Sequence, residues 1–211
     1  MFEDALPPDF AIESGDPREP AESLFAEEVS QIASAVEKRR LEFARGRNCA
    51  RAALRRLGVR DAPLLSGSQR EPLWPAGVVG SITHTKALCV AAVALRSHYA
   101  GVGIDIEVDE PLVPAIAERV ATEAEMSSLA SMSSLVTARL VFSAKEAFYK
   151  CQFYRTRQFL DFFEVSIELA PQGEFSVELR VDAGPLQRGQ RFHGRWRRRA
   201  GFLFTALCMA R

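Results

Sequence analysis

The chain has 211 residues, 47% hydrophobic and 26% charged, with 27 basic and 27 acidic side chains. This is an ordinary globular composition, enough for one large domain or two small ones, and it excludes a uniformly basic nucleic-acid binder. The longest apolar run, Leu88 to Leu95, is too short to cross a bilayer, so no membrane partner is expected.

Residues 1 to 30 carry nine acids against the single base Arg18, with several prolines and few strand signals. They read as an extended segment that partly covers the protein. The start, Met1-Phe2-Glu3-Asp4, lacks an apolar core, so no signal peptide is expected. Residues 33 to 57 read as a helix: Ile32, Val36, Phe43, Ala50, Leu54 and Leu57 fall on one face, and Gly58 ends it. Arg40, Arg47, Arg51 and Arg55 border that face, where an arginine is partly desolvated and needs a partner. Lys38, Arg45 and Arg56 point to the opposite, wet side.

A Pro/Gly/Ser-rich loop spans 61 to 77. Val78 to Thr83 and Leu88 to Leu95 read as strands, the second a central strand buried on both faces. Val102 to Val108 alternates strictly and is a third strand. Two helices are expected over 114 to 132 and 135 to 152. Phe163, Val165, Ile167 and Leu169 share one strand face, and Phe175, Val177, Leu179 and Val181 another. Residues 190 to 209 read as a hairpin turning at Arg199-Ala200-Gly201. There is no sequence repeat, and the mixture indicates an α+β fold. Cys49, Cys89, Cys151 and Cys208 form no C-x-x-C pair, which suits reduced thiols in a cytoplasmic protein.

Three motifs carry chemistry. In the strand Val102 to Val108, Asp105 and Glu107 lie two apart on one face, about 6.6 Å between Cα atoms. Carboxylates so close repel unless a cation lies between them, although taken alone a half-exposed strand with a polar outer face is the simpler account. In the second long helix, Glu146 and Lys150 are spaced i,i+4, a spacing also common in surface ion pairs. Together Asp105, Glu107 and Glu146 offer an all-oxygen donor set suited to Mg²⁺. A magnesium site with lysines beside it points to phosphoryl chemistry. His84, in a polar loop with Ser81, Thr83 and Thr85, is the histidine best placed to meet an anion. His98 and His193 read as structural or solvated.

Four stretches, taken together, resemble the 4′-phosphopantetheinyl transferases: Lys38 to Phe43 with Gly46 to Arg51; Glu71 to Pro75 leading to His84; Gly103 to Glu107; and Phe142 to Lys150. The likeness is to the surfactin-synthetase-associated type and its enterobactin-synthetase-like branch, over about residues 36 to 164. The resemblance implies a fold of two similar α+β halves, about 1–100 and 101–211, with the ligand cleft between them. It implies transfer of phosphopantetheine from coenzyme A to a serine of an acyl or peptidyl carrier protein, with release of adenosine 3′,5′-bisphosphate. Asp105, Glu107 and Glu146 would bind Mg²⁺, and Glu146 would also deprotonate the carrier serine. Lys150 would neutralise the leaving phosphate, and Lys145 would help hold the phosphates. Thr83 and His84 would contact coenzyme A, while Arg39, Arg47 and, less directly, Arg51 would grip its 3′-phosphate and nucleotide end. Two halves in one chain would allow a monomer, and no nucleic-acid partner is implied. Two positions depart from the family pattern. Relatives often carry a basic residue where Ser66 stands, with only Arg70 nearby here, and the third motif opens on Phe142 rather than Trp. A carrier-binding module without turnover and a Mg²⁺-dependent phosphohydrolase are the competing readings.

Overall fold

The computed structural model describes residues 2–211. They form two compact units, one of residues 8–99 with Arg211 and one of residues 2–7 with 100–210.

In the first unit, β2 (Val78–His84), β3 (Cys89–Leu95) and β1 (Ala11–Gly15) make an antiparallel sheet in the order β1-β3-β2. The strand expected to be central is central, and every β3 residue but Leu95 is buried. Helix α2 (Glu37–Arg56) packs across this sheet through Cys49, Ala50, Ala53 and Leu54. It ends at Gly58, whose φ of 75° is cheap only without a Cβ. The acidic N-terminal segment is more ordered than its sequence suggests. Ala11–Gly15 adds an edge strand, and Ala26–Gln31 forms the short helix α1. The segment also covers the face of α2 expected to be wet. Arg45 donates to the carbonyls of Glu19 and Pro20, and Arg56 pairs with Glu13.

In the second unit five strands lie in the order β4-β8-β7-β6-β5, where β4 is Tyr99–Val108, β5 Val165–Ala170, β6 Glu174–Leu179, β7 Arg191–Arg199 and β8 Phe202–Ala210. The expected hairpin turns through Ala200 and Gly201, both at positive φ (51° and 79°), the geometry of a two-residue type I′ turn. Helix α5 (Ser134–Thr156) buries Leu140, Ala144, Ala147 and Cys151 in the core. Phe163 falls in a 3₁₀ turn before β5 and is half-exposed. The helix expected over 114–132 is two short ones, α3 (Pro114–Val120) and α4 (Glu123–Met126). The break has a local cause. Thr122 caps α4 by accepting from the Glu125 amide, and Glu125 reaches back to the Thr122 amide at 2.8 Å. Residues 2–7 pack in this unit, with Phe2 edge-on to Phe204 and the Asp4 carbonyl accepting from Arg195 and Arg197.

The units repeat one device that no sequence periodicity reveals. In each, a short helix brings a buried glutamate to a basic residue of the long helix. Glu28 of α1 accepts from the Phe25 and Leu64 amides and from Arg51 of α2. Glu125 of α4 accepts from the Thr122 and Ile167 amides and from Lys145 of α5. Each glutamate thus closes its helix cap, pins a distant backbone amide and neutralises a buried cation. Two similar α+β halves follow from this repetition as well as from the sheet-and-helix layering.

Candidate functional site

The second unit assembles its polar cluster through close backbone packing. A Cβ on Gly103 would lie 1.7 Å from the Ala147 carbonyl oxygen, so only glycine lets β4 come this near α5. That approach brings Asp105 against α5. Lys150 Nζ donates to Asp105 Oδ1 at 2.6 Å and to the Ile104 carbonyl at 3.2 Å. Ser143 Oγ donates to Asp105 Oδ2 at 2.9 Å, and Thr205 Oγ1 of β8 donates to the Ser143 carbonyl. Lys150 therefore pairs with Asp105 rather than with Glu146 one turn away.

Glu107 is held by Arg139, whose Nη1 donates to Oε2 at 2.8 Å while its Nη2 donates to the Pro111 carbonyl. Burial pushes the Glu107 carboxyl above its ordinary range, and the charge of Asp105 adds to this against the pull of Arg139. Glu146 is half-buried, and among the described residues no side chain hydrogen-bonds it. Desolvation raises its pKa, Lys150 lowers it and Asp105 raises it. A poorly solvated, unanchored carboxylate with a raised pKa is suited to accept a proton.

Glu107 and Glu146 thus each lie within electrostatic reach of Asp105, and the oxygen chemistry of the three fits a hard divalent cation. Their side chains are not drawn together, however. Among the described residues no three His, Cys, Asp or Glu side chains are gathered closely enough to hold a metal ion. Like charges spread towards the nearest cations, and here Lys150 takes Asp105 while Arg139 takes Glu107.

Lys145 lies apart from this cluster. It is 3% exposed, and its ammonium donates to the Val120 carbonyl (2.9 Å), the Phe162 carbonyl (2.9 Å) and Glu125. All three of its protons are spent inside the unit. Burial lowers its pKa against the opposing pull of Glu125.

The first unit carries a basic face. Arg39 on α2 puts Nη1 3.4 Å from His84 Nε2 at the end of β2, and His84 Nδ1 lies 3.9 Å from Glu42 Oε2. Arg39 and Arg70 also line a cavity of about 440 Å³ with Gln31, Phe43 and Ser66. Thr83 is buried in β2. Arg47 and Arg51, expected at the nucleotide end, are buried too. Arg47 lies over the Phe43 ring, with Nε donating to the Leu64 carbonyl at 2.6 Å and Nη2 to Ser66 Oγ at 2.8 Å. Arg51 Nη1 donates to both Glu28 oxygens at 2.8 Å. Desolvation beside the core face did require partners for these arginines, and the partners are internal. Sequence reasoning did not single out Ser143, Thr205, Arg139, Glu28 or Glu125. Only Glu125 had a visible signal, the Thr-x-x-Glu capping box.

Residues 27–94 match the family model of the 4′-phosphopantetheinyl transferase N-terminal domain, and residues 101–203 match that of the 4′-phosphopantetheinyl transferase superfamily. Among characterised proteins the chain is 41% identical to 4′-phosphopantetheinyl transferase Svp of Streptomyces mobaraensis, over 92% of this chain and 82% of that one. It is 36% identical to 4′-phosphopantetheinyl transferase Npt of Nocardia iowensis over the whole of both chains. It is 34% identical to enterobactin synthase component D of Escherichia coli, over 68% of this chain and 69% of that one. The two halves, each with one long helix on an antiparallel sheet, are those of a transferase fold. The chain belongs to the 4′-phosphopantetheinyl transferase family. Among the described residues no helix is long and apolar enough to cross a membrane.

Proposed function

We propose that this enzyme transfers 4′-phosphopantetheine from coenzyme A to a serine hydroxyl of an apo acyl or peptidyl carrier protein, with Mg²⁺ as cofactor, releasing adenosine 3′,5′-bisphosphate. The likeness to enterobactin synthase component D favours the enterobactin-synthetase-like branch. The observation that carries the reading is Glu146. Its carboxylate is half-buried, its pKa is raised by desolvation, and it stands beside the Asp105–Lys150 pair.

A serine hydroxyl is a weak nucleophile and needs a base within reach. Glu146 accepts its proton. The hydroxyl oxygen attacks the phosphorus that carries pantetheine, and the bond to the bridging pyrophosphate oxygen breaks. Adenosine 3′,5′-bisphosphate departs with the electron pair. Lys150 stabilises the charge that builds on the departing phosphate. Asp105, Glu107 and Glu146 would hold Mg²⁺, which supplies charge neutralisation to the pyrophosphate when bound. Arg39 and His84 form the anion-binding face for coenzyme A, and arginine suits this because its planar fork meets phosphate oxygens two at a time. Thr83, buried in β2, would position the neighbouring His84 rather than offer an exposed hydroxyl. Lys145, Arg47 and Arg51 support the fold around the site instead of touching phosphate.

Chromatography of the nucleotides after incubation with coenzyme A, Mg²⁺ and an apo carrier tests the reading. Adenosine 3′,5′-bisphosphate should appear in step with carrier modified. Nucleotide released without a carrier would identify a phosphohydrolase instead.

A further inference from the structure

Strand β4 and helix α5 pass each other in opposite directions with a fixed register. A Cβ on Gly101 would meet the Cys151 carbonyl oxygen at 2.3 Å, and one on Gly103 the Ala147 carbonyl oxygen at 1.7 Å. Further along, Asp105 accepts from Ser143, and Glu107 accepts from Arg139. Each step of two residues on β4 therefore matches a step of four on α5, about 6.6 Å against about 6.0 Å. The glycine contacts set the spacing, and the polar pairs continue it. Arg139 differs from Ser143, its neighbour on the same helix stripe, because it brings a full positive charge to the carboxylate it holds. It is also tied elsewhere. Its Nη1 donates to Glu107 Oε2 at 2.8 Å, while Nε donates to the Glu110 carbonyl and Nη2 to the Pro111 carbonyl. Both carbonyls belong to the chain just beyond β4, so the guanidinium stays at the strand's end whichever way Glu107 turns. The side chains of Arg139 and Glu107 are only 17% and 24% exposed, so water and salt screen the pair weakly.

We propose that Arg139 is a positioning residue that competes with the divalent cation for Glu107, stabilising the fold while weakening metal binding. The proposal rests on Glu107 being a metal ligand. Asp105 and Glu107 repel each other on one strand face, and the guanidinium offsets that repulsion by holding Glu107 to α5. A divalent ion on the same carboxylate meets a second cation that two backbone carbonyls keep in place. Arg139 acts only through Glu107.

Titration with Mn²⁺, followed by the electron paramagnetic resonance of the free ion and reversed with Mg²⁺, tests it. The proteins are the wild type, Arg139→Gln, Arg139→Lys and Glu107→Gln, each also melted in the presence of a chelator. Arg139→Gln keeps a donor for the carbonyls but loses the charge. It should melt at a lower temperature than the wild type in chelator, yet bind Mn²⁺ about tenfold more tightly, an effect between those of an exposed and a buried ion pair. Arg139→Lys keeps the charge without the fork, so its ammonium can yield to the ion. It should fold as the wild type does and bind Mn²⁺ about threefold more tightly, which carries the test if Arg139→Gln does not fold. A merely structural residue would not produce lower stability together with tighter metal binding. Unchanged or weaker Mn²⁺ binding in the folded Arg139 variants would overturn the competition and leave the metal reading intact. A wild type that binds no Mn²⁺, or a Glu107→Gln variant that binds it as well as the wild type, would overturn the ligand assignment and the proposal with it.

Discussion

The dependence of the proposed catalytic cluster on one glycine can be tested by Gly103→Ala. The added Cβ would stand 1.7 Å from the Ala147 carbonyl oxygen and 2.9 Å from the Cys151 amide nitrogen, both backbone atoms of a buried helix turn. Carbon and oxygen approach no closer than about 3.3 Å in ordinary packing, so β4 and α5 must separate by about 1.6 Å. No flexible side chain can absorb this. The change belongs at the upper end of overpacking costs, about 3 kcal/mol, or a melting temperature lower by about 6–12 °C for a chain of this size. The same displacement carries Glu146 and Lys150 away from Asp105. A misplacement of about 1 Å can cost about 100-fold in rate, so turnover of the folded variant should fall by at least that much. Thermal unfolding followed by circular dichroism gives the first number, and carrier modification well below the melting temperature gives the second. An alanine variant with wild-type melting and wild-type turnover would refute the close-packing argument.

Further outcomes follow from the same geometry. Lys150→Met should lower the kcat of the folded variant by about 10²–10³-fold, as expected when a donor to developing charge is removed, and should also lower the melting temperature because Asp105 loses its cation. Steady-state kinetics against a carrier protein would check it. Arg51→Met leaves the Glu28 carboxylate buried with only two amide donors, and breaking such a pair from one side costs about 3–5 kcal/mol. Its melting temperature should fall steeply while the KM for coenzyme A of the folded variant stays unchanged. A raised KM would return Arg51 to the nucleotide site. Glu107 and Glu146 have raised pKa values, so the protonated forms favour folding. Their contribution to stability is complete below the ordinary value of 4.5 and is lost as pH rises through their raised values. Mg²⁺ should therefore raise the melting temperature more at pH 8 than at pH 5. A magnesium effect independent of pH would count against these carboxylates as ligands.

Much of this was legible in the sequence because it rests on periodicity and local chemistry. The buried face of α2, the apolar run of β3, the stop at Gly58 and the Ala200-Gly201 turn each declare themselves within a few residues. The Asp105 and Glu107 pair and the Glu146 and Lys150 spacing were likewise visible as local patterns. What escaped depends on partners far away in the chain. Nothing near Lys145 announces that Glu125 and the Val120 and Phe162 carbonyls will consume its protons. Nothing near Arg51 announces Glu28, so the need for a partner is legible there but not its identity. Arg139 lies 32 residues from Glu107, and Thr205 lies 62 from Ser143. The short edge strand Ala11–Gly15 escaped because five residues of mixed polarity carry no alternation strong enough to read. The broken helix near Ala121 could have been found, since Thr122 and Glu125 stand at capping-box spacing.

The most direct test of the central claim is the intact mass of an apo carrier protein after incubation with this enzyme, coenzyme A and Mg²⁺. A gain of one phosphopantetheine per carrier is expected. It should disappear with Glu146→Ala, with a carrier lacking the acceptor serine, or when the metal is chelated. No gain on any acyl or peptidyl carrier while coenzyme A is bound would contradict the account and leave a carrier-binding module without turnover. A gain that persists undiminished in Glu146→Ala would keep the reaction but remove Glu146 from it.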